Sequence, residues 1–149
     1  SLVIRDLEMK KLIVSLCVLF MPFSTLSADD HVSMAPKDAE VYFIQPVDGQ
    51  TLSSPFSVSF GLKGMGVAPA GVKKQNTGHH HLLIDLEQLP DLSKPLPASE
   101  HVKHFGGGQT EVMLDLPKGE HRLQLLLGDH HHMPHQPPVM SETITVIVE

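Results

Sequence analysis

The sequence has very little cysteine and few aromatic residues. Its 149 residues include one cysteine, one tyrosine and no tryptophan. The cysteine, Cys17, lies in an apolar run near the start, so the chain that follows has no thiolate to offer. This argues against disulfides, iron–sulfur clusters and cysteine-rich zinc sites. A sugar-binding platform is also disfavoured, because Phe105 is the one candidate for an exposed stacking ring. The net charge of −6 argues against nucleic acid as a partner.

Long hydrophobic runs are also missing, and the longest one near the start has the features of a secretory signal. Met9 is a plausible initiator, Lys10 and Lys11 follow it, and the apolar run covers 12–20. A run of nine residues is too short to span a bilayer. We therefore expect a periplasmic or secreted bacterial protein with no stable membrane insertion after signal removal. The expected divisions are upstream residues 1–8, a signal peptide 9–28, a flexible N-terminal arm 29–40 and a β-sandwich domain 41–149.

Six segments have the composition of β-strands. Phe56, Val58 and Phe60 share one face of the second segment and alternate with small residues, as a half-buried antiparallel strand requires. Turn residues such as Asp48-Gly49 separate the segments, and no long helical period is present. The sequence predicts an all-β fold, an immunoglobulin-like antiparallel β-sandwich of six to seven strands. The strands are expected at 41–46, 56–62, 79–87, 110–116, 121–128 and 143–148, with a weak edge strand possible between 88 and 109.

Histidine is the chemical group that this sequence has in excess. The 11 histidines include clusters at 79–81 and 130–135. Because successive antiparallel strands run in opposite directions, the start of the strand that opens at 79 and the loop after 128 belong to the same end of the sandwich. We expect ten of the 11 histidines at this end, including His31 and His101, with His121 as the exception. Convergence of distant clusters is typical of a metal site.

Strand alternation separates the three consecutive histidines. His79 and His81 point to one face and can chelate one ion, whereas His80 lies on the apolar side with Leu82 and Ile84. His80 is therefore either a ligand or a buried ring that is hydrogen-bonded to the backbone. The alternative for His79 and His81 is a solvated strand edge.

The loop after 128 and the segment 88–109 offer further ligands. In the loop after 128, His130 and His132 repeat the spacing of His79 and His81, although loop histidines are also commonly just exposed. His104 precedes three glycines that allow its ring to fold inward, and His101 is either its partner or a surface residue. His121 is expected to have a structural role, as a ring that bonds to the backbone of the preceding turn. The predicted metal ligands are His79, His80, His81, His104, His130, His132 and His135.

The available donors determine the metal that is expected. Imidazole without thiolate suits copper, zinc and nickel. Met65 lies in the loop 63–78, Met133 lies in the loop after 128, and Met140 is nearby. A thioether beside imidazole favours Cu(I), although packing is the commoner role of any one methionine. We therefore expect copper, as Cu(I) or Cu(II), first and zinc second. The predicted function is metal capture, delivery or buffering, with the metal ion and another periplasmic metalloprotein as partners.

Several motifs are similar to those of a bacterial family catalogued as domain of unknown function 4399. They are Gly61-Leu62-Lys63-Gly64-Met65-Gly66-Val67, Asn76-Thr77-Gly78-His79-His80-His81, His104-Phe105-Gly106-Gly107-Gly108 and Leu127-Gly128-Asp129-His130. The resemblance covers nearly all of 41–149 and implies an exported single-domain protein without an assigned activity. It also implies that His31, His101 and His131 are extras of this chain, whereas the seven predicted ligands match the family pattern.

Other functions are weighed against metal binding. The H-E-x-x-H pattern of zinc proteases, the G-x-S-x-G elbow and a cysteine nucleophile are all absent, so an enzyme is not the favoured interpretation. A metal with an open coordination position would still permit a metal-dependent enzyme. The remaining alternative is a non-enzymatic adhesion module or a pH-responsive interaction module, since clustered imidazoles gain charge together in acid.

Overall fold

The computed structural model describes residues 32–149. The predicted upstream residues 1–8, the predicted signal peptide 9–28 and His31 lie outside the described residues. Within residues 32–149 there is no helix of the length and hydrophobicity that a membrane span needs.

The described part of the chain forms nine β-strands. The six predicted strands are present with small changes at their ends, and a short strand also occurs where a weak edge strand was expected. Two further strands of two residues each were not predicted, because so short a segment has no periodic pattern to detect. The strands are β1 (Glu40–Gln45), β2 (Thr51–Leu52), β3 (Phe56–Lys63), β4 (Gly66–Val67), β5 (Thr77–Ile84), β6 (Val102–His104), β7 (Glu111–Leu114), β8 (Gly119–Gly128) and β9 (Ile144–Val148).

The strands form two sheets. One sheet has the order β1-β3-β7, and the other has the order β2-β9-β8-β5-β4 with β6 also paired to β5. Alternate apolar side chains of both sheets, such as Phe60, Leu82, Leu125 and Val146, are buried together in the main core. The prediction of an all-β fold built from two sheets is confirmed and is consistent with a β-sandwich; the immunoglobulin-like topology stays a prediction.

Strand β5 is covered on both faces, which sets the surroundings of its histidines. Its inner face, with His80, Leu82 and Ile84, packs into the main core. On its outer face Leu83 belongs to a second, smaller core with Leu126, into which segment 92–102 also packs. His79 and His81 therefore point to a side of the sheet that the long connections cover, and both are fully buried. This differs from the solvated edge that was the alternative for these two residues.

The end of β5 differs from the sequence expectation. The strand was predicted to continue to 87 but ends at Ile84. Asp85 adopts a left-handed backbone conformation with φ 54°, and its Oδ1 accepts a hydrogen bond from the Arg122 N–H at 2.8 Å. The Asp85 side chain thus takes the place of a backbone carbonyl in the pairing with β8, and the strand ends there.

The described part of the predicted N-terminal arm makes specific contacts with the domain. The Gln136 N–H donates to the Ser33 carbonyl at 2.9 Å, and the Ala35 N–H donates to the Gln136 carbonyl at 2.8 Å. Ala35 and Ala39 also pack against the main core. This segment therefore lies directly beside the loop 129–135, which carries four histidines.

Candidate metal centre

Three histidine rings from two distant segments meet above the outer face of β5. The Nε2 atom of His79 lies 2.9 Å from Nδ1 of His132, and the Nε2 atom of His81 lies 3.2 Å from the same Nδ1. All three nitrogens lie within 4.8 Å of one another, so one ion can contact them all. We call these three residues the histidine triad.

The spacing of the triad is close to that of a metal site. Nitrogens bound to one zinc ion at 2.0–2.1 Å in a tetrahedron lie about 3.3–3.4 Å apart. The observed distances of 2.9 and 3.2 Å are only slightly shorter. Small rotations of the rings would be enough to admit an ion.

His104 lies next to the triad, outside the group of three whose nitrogens lie within 4.8 Å of one another. Strand β6 pairs with β5 in a register that places His104 opposite His81. Its ring centroid lies 4.4 Å from that of His81 and 4.5 Å from that of His132. The ring also bonds to the Pro97 backbone, while its Nε2 is buried without a hydrogen-bond partner among the described residues. A ring with one nitrogen anchored and the other unused is typical of a metal ligand.

Burial keeps these histidines uncharged. Desolvation, followed by the charges of His132 and His104, lowers the pKa of His79 to about 4. Desolvation and the neighbouring histidines lower the pKa of His81 to about 2, against an opposing effect of the Leu126 backbone. The pKa of His104 is lowered by the same causes. These rings are therefore neutral at neutral pH, the form of imidazole that binds a metal.

The absence of a side chain at Gly128 makes room for the triad. Gly128 pairs with His79 across β5 and β8. A Cβ atom at this position would lie 2.5 Å from Cε1 of His81 and 3.3 Å from Cα of His132. Sequence reasoning did not identify this residue, although the motif Leu127-Gly128-Asp129 contains it.

Asp129 holds the loop that supplies His132. Its Oδ1 accepts hydrogen bonds from the N–H groups of His131 at 2.8 Å and Met133 at 3.0 Å, and its Oδ2 accepts one from Ser33 Oγ at 2.6 Å. Burial would raise the pKa of Asp129, but these hydrogen bonds outweigh it and lower the pKa. Between the two bonded amides, His132 adopts a left-handed conformation with φ 62°. The carboxylate thus fixes the turn that directs the His132 ring toward β5.

Replacing Asp129 with Ala is therefore expected to weaken metal binding about 10- to 100-fold, as loss of a group that orients a ligand commonly does. Zinc competition with a fluorescent chelator measures the effect. Ser33→Ala removes only one of the three hydrogen bonds and is expected to have a smaller effect. An unchanged affinity in Asp129→Ala would show that His132 does not need this turn to reach the metal.

The other predicted ligands lie at the same end of the sheet but outside the triad. His80 points into the main core, where its ring centroid is 5.0 Å from that of Phe60, and both its nitrogens are buried without a hydrogen-bond partner among residues 32–149. Burial lowers its pKa to about 4. His130 stacks on His131 at 4.0 Å. His135 is buried and bonds to Thr77. The convergence of the clusters 79–81, 104 and 130–135 is confirmed, while metal binding by each of these residues stays a prediction.

His101 was expected at this end, and that expectation was wrong. Its Nδ1 lies 2.9 Å from the carbonyl oxygen of Ile84, at the opposite end of β5. The reason is the register of β6, in which Val102 pairs with Leu83 and only His104 reaches His81. A short strand with no apolar alternation gave no sequence signal for this register.

His121 has the structural role predicted for it. Its Nε2 lies 2.7 Å from the Pro117 carbonyl oxygen, in the preceding turn, and its Nδ1 lies 2.7 Å from Oδ2 of Asp85. Both partners are acceptors, so the charged form of the ring, with hydrogen on both nitrogens, satisfies both of them. Desolvation lowers its pKa, but the bonds to Asp85 and Pro117 and the charge of Asp85 outweigh it and raise the pKa.

Because the pKa of His121 is raised on folding, this interaction stabilises the fold below the unfolded pKa of about 6.5 and is lost as pH rises through the folded value. Asp85→Asn is expected to lower the free energy of unfolding by about 1 kcal/mol at pH 6. The difference from the parent protein should shrink toward pH 9. Urea unfolding at several pH values measures it, and a difference that does not vary with pH would contradict the charged His121.

These features define an all-β protein with a buried group of histidines that can hold a metal ion. The chain belongs to the family described as domain of unknown function (DUF4399), whose sequence profile matches residues 58–149. The matched region includes every histidine of the triad and His104. The resemblance seen in the sequence motifs is thereby confirmed.

Comparisons with curated proteins and with solved structures add no information on function. No curated protein matches the chain at a significant level. The solved structure of the endo-beta-1,4-mannanase from Thermotoga petrophila is similar over 76% of this chain and 20% of that chain, with 19% sequence identity and a TM-score of 0.45. A likeness at this level defines neither the fold nor the activity of this protein.

Proposed function

We propose that this protein is an exported transition-metal-binding protein that captures, delivers or buffers copper, with zinc as the second choice. The observation that carries the proposal is the meeting of three ring nitrogens, from His79, His81 and His132, within 4.8 Å. The site would be completed by His104 or by a group from a partner metalloprotein. The identity of the ion and the role in transport are parts of the proposal.

The buried ring nitrogens support a ligand in this region. A buried polar atom without a hydrogen bond costs about 1–3 kcal/mol. Among the described residues, Nε2 of His104 is in this condition beside the triad. Nδ1 of His132 has either one hydrogen or one lone pair, so it can fully satisfy only one of its two neighbours, Nε2 of His79 or Nε2 of His81. A metal ion held by the three triad nitrogens would remove this conflict.

The ligand set supports copper before zinc. His79, His81 and His104 are neutral at neutral pH, and no carboxylate belongs to the group of candidate ligands in residues 32–149. The cost of burying an ion without a counter-charge rises steeply with its charge, so a monovalent ion such as Cu(I) is favoured over a divalent one. Tetrahedral coordination by four nitrogens would equally satisfy Zn²⁺ in geometry, which keeps zinc as the alternative.

The methionines add less support than their positions in the sequence implied. Met65 packs against the main core, and Met140 packs against the smaller core that contains Leu126. Both thioethers therefore have a packing role, and the proposal for Cu(I) is based on charge and burial.

Export is the remaining part of the proposal. Its support is the sequence pattern of Lys10, Lys11 and the apolar run 12–20, followed by a chain without cysteine. Expression with residues 9–28 in a bacterium, followed by cell fractionation and mass spectrometry, tests it. A periplasmic product beginning near Asp29 is expected, and an uncleaved cytoplasmic product would contradict export.

Metal titration of the purified protein tests the central claim. Cu(I) is titrated without oxygen against a chromophoric chelator, and Zn²⁺ is titrated calorimetrically. The folded protein is expected to bind copper more tightly than zinc, and both more tightly than a peptide of scrambled sequence does. His131→Asn provides a matched control, because His131 is an exposed histidine next to the triad.

Other outcomes would replace the proposal. If neither ion binds more tightly to the protein than to the scrambled peptide, metal binding is wrong, and a non-enzymatic adhesion or pH-responsive module takes its place. If the loaded protein turns over a substrate, and His132→Asn abolishes the turnover, the protein is a metal-dependent enzyme. Tight binding of zinc with weak binding of copper would reverse the order of metals.

A further inference from the structure

His135 is a buried histidine that the triad does not use. The residue is 1% exposed, and its Nε2 lies 3.2 Å from the carbonyl oxygen of Thr77. Because a carbonyl can only accept, Nε2 carries a hydrogen, which leaves Nδ1 as the nitrogen available to a metal. That Nδ1 is buried and has no hydrogen-bond partner in the described part of the chain. Metal-binding histidines commonly have this arrangement, with one nitrogen fixed by a carbonyl and the other unused.

The His135 ring lines a cavity that is distinct from the triad. The cavity has a volume of about 410 Å³, and its walls come from residues 32–34, residues 72–77 and the loop 129–135. His130 and Asp129 line it as well, whereas none of the three triad histidines does. Nδ1 of His130 lies 3.9 Å from Oδ2 of Asp129, and the His130 side chain is 14% exposed. The cavity therefore contains two imidazoles of different depth and one carboxylate beside them.

We propose that this cavity is a second and more open metal site, in which His130 and His135 bind Cu(I). Two imidazoles are an adequate ligand set for a soft monovalent ion. Asp129 already accepts three hydrogen bonds, so it supplies a nearby negative charge and leaves coordination to the two rings. Lys73 and Lys74 also line the cavity, and their positive charges disfavour a divalent ion more strongly than a monovalent one.

The position of the cavity gives this site a role in metal entry. His79 and His81 are fully buried, so an ion does not reach them directly from solvent. The loop 129–135 carries ligands of both sites, with His130 and His135 on the cavity and His132 on the triad. An ion held in the cavity, with a third position open to a donor molecule, is placed to pass to the triad. This role in entry rests on the proposed function, whereas the existence of the second site does not.

The stoichiometry of Cu(I) binding tests the second site. The full protein is titrated without oxygen against a chromophoric Cu(I) chelator, beside His130→Asn, His132→Asn and the control His101→Asn, which changes an exposed histidine at the opposite end of β5. The parent protein and the control are expected to bind two ions. His130→Asn should bind one ion tightly, and His132→Asn should keep one ion at the weaker affinity of the cavity. Metal uptake measured by stopped flow should slow at least about 10-fold in His130→Asn, the lower effect expected when a supporting group is lost.

The outcomes separate this proposal from the proposed function. One equivalent of Cu(I) in the parent protein, or a His130→Asn variant identical to His101→Asn in stoichiometry and rate, would overturn the second site while leaving the triad intact. A His132→Asn variant identical to the parent would overturn the triad instead. The buried residue His135 is tested by His135→Gln, with circular dichroism to verify folding; a folded variant that keeps two ions would also overturn the second site.

Discussion

Replacing His132 with Asn is expected to lower the affinity for Cu(I) and Zn²⁺ at the triad by at least about 100-fold. The loss of a group that merely orients a ligand costs 10- to 100-fold, so the loss of a ligand itself must lie at or above the upper end of that range. Asn is chosen because His132 has a positive φ of 62°, a conformation that Asn tolerates well. The backbone of the loop is thereby preserved while the imidazole is removed. Competition with chelators of known affinity measures the change.

The matched control is His131→Asn. His131 precedes His132 in the same loop but is exposed, so its replacement leaves the triad complete. Both variants should have the same melting temperature without metal to within a few degrees. Added zinc should raise the melting temperature of the control, because a ligand that binds only the folded state stabilises it, and should raise that of His132→Asn much less. Equal zinc stabilisation of the two variants would show that His132 is not a ligand.

Replacing Gly128 with Ala is expected to damage both stability and metal binding. The added Cβ would lie 2.5 Å from Cε1 and 3.0 Å from Nδ1 of His81. The His81 ring is fully buried, so it cannot move aside without disturbing its neighbours. Such overpacking costs about 1–3 kcal/mol of unfolding free energy. The displaced ring should also weaken metal binding at least about 10-fold, by analogy with the loss of a supporting group.

Gly66→Ala is the matched control for this variant. Gly66 also lies in a strand that pairs with β5, but a Cβ there would meet only Cγ2 of Thr77 at 3.7 Å, which is an ordinary contact. Urea unfolding and zinc competition on both variants separate a specific effect at His81 from a general effect of adding a methyl group. If Gly128→Ala binds zinc as tightly as Gly66→Ala does, the space at Gly128 is not needed by the metal centre.

Alternation along a strand allowed part of the site to be predicted. Side chains two positions apart point the same way whatever the rest of the fold does, so His79 and His81 were correctly paired and His80 was correctly assigned to the apolar face. The reversal of direction between antiparallel strands brought the loop 129–135 to the same end. The same local reasoning gave His121 its bond to the preceding turn, because a turn joins residues that are close in sequence.

Selection among the loop histidines was not possible from the sequence. His130 and His132 have equivalent spacing, yet only His132 meets His79 and His81. The difference comes from Asp129, whose carboxylate binds the amides of His131 and Met133 and so sets the turn between them. The position of His101 depended on the register of β6 against β5, and a strand of three residues carries too little pattern to fix a register.

The sequence by itself determined the all-β class, the six longer strands, the excess of histidine and the pairing of His79 with His81. These follow from composition and from the two-residue period of a strand, which are local properties. The tertiary structure alone decided that His132 meets this pair with His104 beside it, that Gly128 leaves space there and that His101 lies elsewhere. These depend on side chains far apart in the chain, and only the packing of strands and loops against one another fixes such distances.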